Sequence, residues 1–325
     1  MHETATRSAR GSGSAGKTVL VTGSTGRLGK ALVEELLKKG YTVRAYVERL
    51  DQVTNLASGV VPFVGDITDR EKLSDATKGA DYVFHLAAIV SEYKAYTGEI
   101  VRVNVEGTAS VAAACRRSGV KRLIYSSSVD VYGKRREELL TEESKLRPSD
   151  RYGHTKMLAE KEIASVPGLD YTIFRIATVY GRGFEHSFFK VFKAIKDGNA
   201  YMIGNGRNHF SLIHINDVVN GIMLGLHGAG GIYNLSDGIE YTQKSLFDFA
   251  AESMNAGRIE RHISPVIVSL VAKRRGLDSD ELRFITSDRR VSIAKIKKVL
   301  GFRPSAKIER EGRDMIKAFL SKYRR

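Results

Sequence analysis

Thr18-Val-Leu-Val-Thr22, running straight into Gly23-Ser24-Thr25-Gly26-Arg27-Leu28-Gly29, organises everything that follows it in this chain. A β-branched apolar run enters a turn with a glycine at every third place. From Leu28 to Lys39 apolar residues then recur at helical spacing (Leu28, Leu32, Leu36) until Gly40 closes the segment. A strand, a glycine turn and a helix in this order present backbone amides and the positive end of a helix dipole to a phosphate. Gly23 permits the tight turn, Gly26 lets backbone approach a pyrophosphate, and Gly29 allows close helix packing. A lone glycine motif is equally a plain turn. Its place directly after the first strand of a strand-helix-strand pattern argues for a dinucleotide site, with Thr25, Arg27 and Leu28 in the same turn.

Outward from there, short strands read at Thr42 to Val47, Val60 to Val64, Tyr82 to Leu86, Arg122 to Ser126 and Tyr171 to Ile176, with helical stretches between most of them. Alternation of this kind implies right-handed crossovers and a parallel sheet covered on both faces, an α/β Rossmann-type doubly wound domain. Its expected extent is 17–180, with 210–235 returning to it. A smaller, discontinuous substrate domain is expected from 181–209 and 236–325, including a helix at Ser187 to Lys196, and a strand is expected at Phe210 to Ile215 in the returning segment. Residues 1–16 are rich in Ser, Gly and Arg without periodicity, and read as a disordered leader.

Composition sets limits on this reading. The chain has 325 residues, one cysteine (Cys115) and 42% hydrophobic residues, with no run long enough for a membrane span and no apolar block of a secretory signal near Met1. A cytoplasmic protein without a disulfide scaffold or metal-ligand cluster is expected. Of the net charge of +15, +10 falls in residues 271–325, which hold 17 basic and 7 acidic side chains. These basic residues are interleaved with apolar ones at helical spacing, so a solvated face is the expectation, and no nucleic-acid partner is expected. Ile263 to Leu270, followed by Lys273-Arg-Arg275, is apolar then basic. It reads as an ordinary core helix, with a lid or a membrane-surface contact as the alternative.

Two further motifs bear on chemistry. Tyr152-Gly-His-Thr-Lys156 opens a helix, and a spacing of four puts an ammonium beside a phenol on one face. Such a lysine favours the phenolate and draws the tyrosine from about 10 toward neutrality, as a general acid/base requires. Taken alone, the pair is also an ordinary amphipathic surface. Tyr125-Ser-Ser-Ser128-Val129-Asp130-Val-Tyr-Gly133 ends a strand with hydroxyls, which suits either a substrate contact or a turn of small residues.

The ordered set is more telling than its parts: the glycine turn, Asp66 in Gly65-Asp-Ile67, His85-Leu86-Ala87-Ala88, Asn104-Val-x-Gly-Thr108, the serine run and Tyr-x-x-x-Lys. It resembles the extended short-chain dehydrogenase/reductase family, the NAD(P)-dependent epimerase/dehydratase group, from Lys17 to about Tyr323. The resemblance implies an enzyme with a bound nicotinamide cofactor and Ser128, Tyr152 and Lys156 as its catalytic set. It further implies that Asp66 and Ile67 contact adenine, that Leu86, Ala87 and Ala88 line the pyrophosphate path, and that Asn104 and Ser126 stand near the cofactor. Val90, Ser128, Val129, Thr178 and Phe210 would face substrate. Relatives commonly dimerise through helices corresponding here to about Glu99 to Ser118 and Tyr152 to Val166, so a homodimer is expected.

The chain also departs from the nucleotide-sugar members. Thr178 stands where they place asparagine, and Phe210 where they tend to place an arginine for the diphosphate, although Arg207 and Lys190 are candidate substitutes. Val129-Asp130 replaces the Asp-Glu pair of the 4,6-dehydratases. These departures look more like the 3β-hydroxysteroid dehydrogenase and dihydroflavonol-reductase branches. For the cofactor, Glu48 repels a 2′-phosphate and suits ribose hydroxyls, whereas Arg27, Arg44 and Arg49 are candidates for a phosphate cradle; NAD is favoured over NADP. The first expectation is therefore an oxidoreductase acting on a secondary alcohol or ketone. The second is a UDP-sugar 4-epimerase with tightly held NAD, and the third a non-catalytic cofactor-sensing or RNA-associated protein.

Overall fold

The computed structural model describes residues 16–90, 97–134, 138–264, 266–268, 286 and 288–323. Seven strands form one sheet: β1 Thr18–Thr22, β2 Thr42–Val47, β3 Val61–Val64, β4 Tyr82–His85, β5 Arg122–Ser128, β6 Tyr171–Ile176 and β7 Gly231–Leu235. Their order is β7-β6-β5-β4-β1-β2-β3, parallel throughout. Chain direction across the sheet reverses between β1 and β4, and at such a switch point a crevice opens beyond the carboxyl ends of the strands.

Strand periodicity explains how both faces are filled. In β1, Val19 and Val21 pack with Leu32 and Leu36 of α1 (Arg27–Lys38), while Leu20 between them packs on the opposite face with Leu73 of α2 (Arg70–Thr77) and Val111 of α3 (Gly107–Arg117). Ile163 of α4 (Arg151–Ala164) closes that second face. A third apolar cluster lies apart from the sheet. It joins Phe188 and Phe192 of α5 (His186–Lys196) to Phe247 and to Met315 and Phe319, and it forms the core of a C-terminal lobe. α7 (Gln243–Ser253) and α9 (Ile308–Tyr323) complete this cluster, whereas α6 (Ile215–Leu224) packs on α1 and α8 (Ala294–Leu300) on β7, both within the first cluster of the sheet.

Two stretches differ from their sequence reading. Phe210 to Ile215, expected as one strand, is split into His209–Phe210, antiparallel to Tyr241–Thr242, and Leu212–His214, parallel to Thr178–Tyr180; Ile215 already belongs to α6. The break falls at Ser211, whose Oγ donates to Arg289 O at 3.2 Å and accepts from Val291 N at 3.3 Å, so a third segment interrupts the ladder. The helix expected from Glu99 contains a π turn at Arg102–Glu106 between Thr97–Val101 and α3.

Residues 1–15 of the expected leader lie outside the described residues, as do 265, 269–270 and Lys273 to Arg275 of the apolar-then-basic stretch. Within that stretch Val268 is buried, whereas Val266 and Ile267 are exposed. Among the described residues no helix is long and apolar enough to cross a membrane.

Candidate functional site

The glycine turn sits at the switch point, and its three glycines are dictated by contact. Gly23 has φ +69°, and a Cβ on it would lie 2.7 Å from Ala87 N. On Gly29 a Cβ would come within 2.1 Å of Gly23 O. Gly26 N donates to Gly23 O at 3.1 Å and serves as the N-cap of α1 with no side chain to satisfy the first amides, and no acidic residue follows in the first turn. By contrast, Asp69 caps α2, Asp150 caps α4 and Thr242 caps α7. An uncapped, positively polarised helix end beside flat glycine backbone suits a pyrophosphate. Ser24 Oγ is buried here without a hydrogen-bond partner, an orphan that a bound diphosphate would satisfy. Sequence reasoning passed over Ser24, because a serine inside a glycine turn carries no local mark. Thr25 and Leu28 are half-buried in the same turn, and Arg27 is exposed, its guanidinium 5.6 Å from the Phe184 ring.

At the end expected to meet adenine, Asp66 follows β3 and Ile67 is buried against Gly107. Burial pushes the Asp66 carboxyl up, but hydrogen bonds from Thr68 and from Arg102 Nη1 at 2.7 and 2.8 Å outweigh it and hold it at about 2. Glu48 and Arg49 are exposed just beyond β2, where Arg49 grips Asp51 through Nε and Nη2, each at 3.0 Å. Arg44, a candidate for a phosphate cradle, is engaged elsewhere through one nitrogen. Its Nη1 donates to Ala76 O at 3.0 Å and Lys78 O at 2.7 Å, stapling β2 to the end of α2.

Leu86, Ala87 and Ala88 leave β4 alongside the glycine turn, with Leu86 N on Thr22 O at 3.2 Å and Ala87 N on Thr22 Oγ1 at 3.3 Å. Beneath them His85 is fully buried. Thr108 Oγ1 gives its proton to Asn104 O at 2.7 Å, so His85 Nε2 donates to Thr108 at 2.9 Å and Nδ1 accepts from Thr22 Oγ1 at 2.7 Å. Burial and the Lys156 charge push the imidazole down to about 3, so the ring is neutral. Asn104 occupies the π turn, a deformation often found at functional sites. Its amide donates to Ile89 O at 2.9 Å and Thr155 Oγ1 at 3.0 Å and accepts from Ile89 N at 2.8 Å, tying the segment after β4 to α4. Val90, the next residue, is exposed.

The end of β5 and the start of α4 carry the three expected catalytic residues. Lys156 Nζ lies 5.7 Å from the centroid of the Tyr152 ring and 4.7 Å from that of Tyr125, and donates to Ser126 O at 2.7 Å. Only 2% of Lys156 is exposed, and this burial draws its ammonium down to about 7 against the opposing charge of Glu160. Tyr152 is half-buried in the first turn of α4. Ser128, the last residue of β5, is buried and caps the short 3-10 turn Val129–Tyr132, accepting from Asp130 N at 3.1 Å. Val129 is buried beneath it.

The remaining expected substrate contacts lie further out. Thr178 pairs with Leu212, linking the two lobes. Phe210 is 2% exposed within the apolar cluster of the C-terminal lobe, and borders a cavity of about 310 Å³ with Ser211, Arg290, Val291 and Lys297. Arg207 and Lys190 are exposed.

Behind the expected catalytic residues runs a buried polar network that the sequence reading did not anticipate. Ser127 Oγ donates to Glu160 Oε1 at 2.6 Å, Arg175 Nη2 pairs with Glu160 Oε2 at 2.7 Å, and Arg175 Nη1 reaches Tyr132 OH at 2.8 Å. Tyr132 OH in turn donates to Asn234 Oδ1 at 2.7 Å. Only Glu160, one turn beyond Lys156 on α4, carried a usable signal.

Set beside known proteins, residues 19–236 match the model of the NAD dependent epimerase/dehydratase family. Sterol demethylase protein B of Methylococcus capsulatus is 36% identical over 170 residues, 50% of this chain and 52% of that protein. The match thus spans about half the length of that relative. UDP-glucose 4-epimerase of Vibrio cholerae is 28% identical over 321 residues, 94% of this chain and 96% of the relative. Among solved structures, MoeE5 in complex with UDP-glucose and NAD superposes with a TM-score of 0.74 at 26% identity, covering 95% of this chain and 100% of that one.

Proposed function

From the premise that this chain belongs to the NAD dependent epimerase/dehydratase family and is an enzyme, we propose that it is an NAD-using oxidoreductase that interconverts a secondary alcohol and its ketone. Bound NAD would supply the acceptor for the carbinol hydride, held at the uncapped end of α1. Tyr152 takes the hydroxyl proton as general base and returns it in the reverse direction. Lys156, buried beneath the Tyr152 ring, favours the phenolate and holds the ribose side of the site, and Ser128 positions the substrate oxygen.

One observation carries the choice of substrate class. Phe210, at the place where sugar-nucleotide members tend to hold a cation for the diphosphate, is packed in an apolar core, and the substitutes Arg207 and Lys190 are exposed on the surface. An apolar ring bearing a secondary alcohol fits better than a sugar diphosphate, and the likeness to a sterol-acting relative adds support. We favour NAD over NADP because Arg44 and Arg49 are engaged with Ala76, Lys78 and Asp51, while Glu48, exposed just beyond β2, places a negative charge where a 2′-phosphate would come. The epimerase reading is favoured by one finding, the match to UDP-glucose 4-epimerase along 94% of the chain.

The experiment supplies epiandrosterone with NAD, and in parallel UDP-glucose, to the full-length protein. NADH formation with the steroid, lost in Tyr152→Phe while NADH still binds, is the expected result. Conversion of UDP-glucose to its 4-epimer without net NADH would replace this reading by the epimerase.

A further inference from the structure

Ser128 is held from two sides. Its Oγ donates to Asp130 Oδ2 at 3.0 Å, and the Asp130 amide donates back to the same Oγ at 3.1 Å. Asp130 Oδ1 receives Arg289 Nη1 at 2.6 Å, and that nitrogen also reaches Val129 O at 3.4 Å. Arg289 is 5% exposed and belongs to a different part of the molecule. Its own amide donates to His209 O at 3.1 Å and its carbonyl accepts from Ser211 Oγ, so the segment that delivers the guanidinium is fastened to the C-terminal lobe. The start of α4 presses on the same turn, because a Cβ on Gly153 would lie 2.5 Å from Asp130 O. Asp130 is therefore where the elements bearing Ser128, Tyr152 and the second lobe converge.

The hydrogen-bond inventory fixes the polarity of the serine. A hydroxyl has one proton and two acceptor lone pairs. The proton is committed to the Asp130 carboxylate and one lone pair to the Asp130 amide, which leaves one lone pair for the substrate. We propose that Asp130, clamped by Arg289, is a positioning residue that makes Ser128 a hydrogen-bond acceptor toward substrate, biasing this enzyme toward the alcohol over the ketone. The proposal rests on the oxidoreductase reading above. An alcohol offers the proton that such a serine needs, and a ketone does not. Arg289 is a donor without acceptor capacity, so it also dictates what an amide in place of the carboxylate would do. With Asp130→Asn, the amide oxygen must face Arg289 and the NH₂ must face Ser128. The serine then accepts from the amide and its own proton turns to the substrate.

The test measures KM for epiandrosterone with NAD and for androstanedione with NADH, in the wild-type protein and in Asp130→Asn. The ratio of the two is expected to move about tenfold in favour of the ketone, the size of one hydrogen bond reversed. Arg289→Met removes the guanidinium's share of the Asp130 carboxylate, which strengthens the carboxylate as an acceptor for Ser128, and is expected to move the ratio the other way. A variant that merely loosens the fold lowers both activities and leaves their ratio alone. In a Ser128→Ala background, Asp130→Asn should no longer shift the ratio. An unchanged ratio in Asp130→Asn, or a shift that persists without Ser128, overturns the proposal. Turnover that survives Tyr152→Phe would instead overturn the chemistry on which it rests.

Discussion

His85 shows how much a single side chain can commit the protein to a pH range. Its ring joins Thr22 of β1 to Thr108 of α3 and is neutral, with a folded value of about 3 against an ordinary 6.5. Between those values the unfolded chain binds a proton that the folded one does not, so stability rises with pH across that window and falls as the solution is acidified below 6.5. The slope approaches about 1.4 kcal/mol per pH unit. Urea unfolding at pH 5 and pH 7 should display it, and His85→Gln should flatten it while lowering stability at both. Residues of this kind were only partly legible. Tyr152 and Lys156 announce themselves by a spacing of four on a helix, and the glycines by a turn that only they can make. Asp130 appeared in the sequence merely as a departure from a familiar pair, and Arg289 lies 160 residues from Val129, whose carbonyl it meets. Nothing local to either position encodes that meeting.

At the scale of elements, strand and helix boundaries follow from period and punctuation wherever one chain segment decides them. β2 and β6 begin and end where the apolar alternation does, at Thr42–Val47 and Tyr171–Ile176. Phe210 to Ile215 failed as a single strand because its neighbours, at Arg289 and Val291, come from far along the chain. The π turn at Arg102–Glu106 was equally invisible, since Asn104 is drawn inward by Ile89 and Thr155 rather than by its own helix. The closest contacts between elements make sharp predictions. In Gly29→Ala the new methyl would meet backbone at 2.1 Å, where nothing flexible can yield. A stability loss of about 1–3 kcal/mol is expected on thermal unfolding, together with loss of NADH binding followed by its fluorescence. Gly153→Ala, by pushing α4 off Asp130, should leave NADH binding nearly intact and reduce turnover.

Across the whole molecule, two lobes share one polar seam. Arg175 on β6 holds Glu160 of α4 and Tyr132, Tyr132 holds Asn234 of β7, and Asn234 Nδ2 reaches Ser292 O at 3.2 Å. Removing one member of the buried Glu160–Arg175 pair strands the other charge, so Arg175→Met should cost about 3–5 kcal/mol in chemical unfolding, while the double replacement with Glu160→Gln recovers part of it. The sequence disclosed the sheet, both of its apolar faces and the cofactor end of the crevice. The seam escaped it, because buried polar partners obey geometry rather than period. The late position of Arg289 also imposes an order of assembly on the ribosome. Every residue of the glycine turn, the Tyr-Lys pair and all seven strands has been synthesised by Leu235, yet the guanidinium that fixes Asp130 has not. A nascent chain thus acquires the glycine turn and its helix well before the clamp on Asp130 can close, and that clamp waits until Arg289 itself has been added.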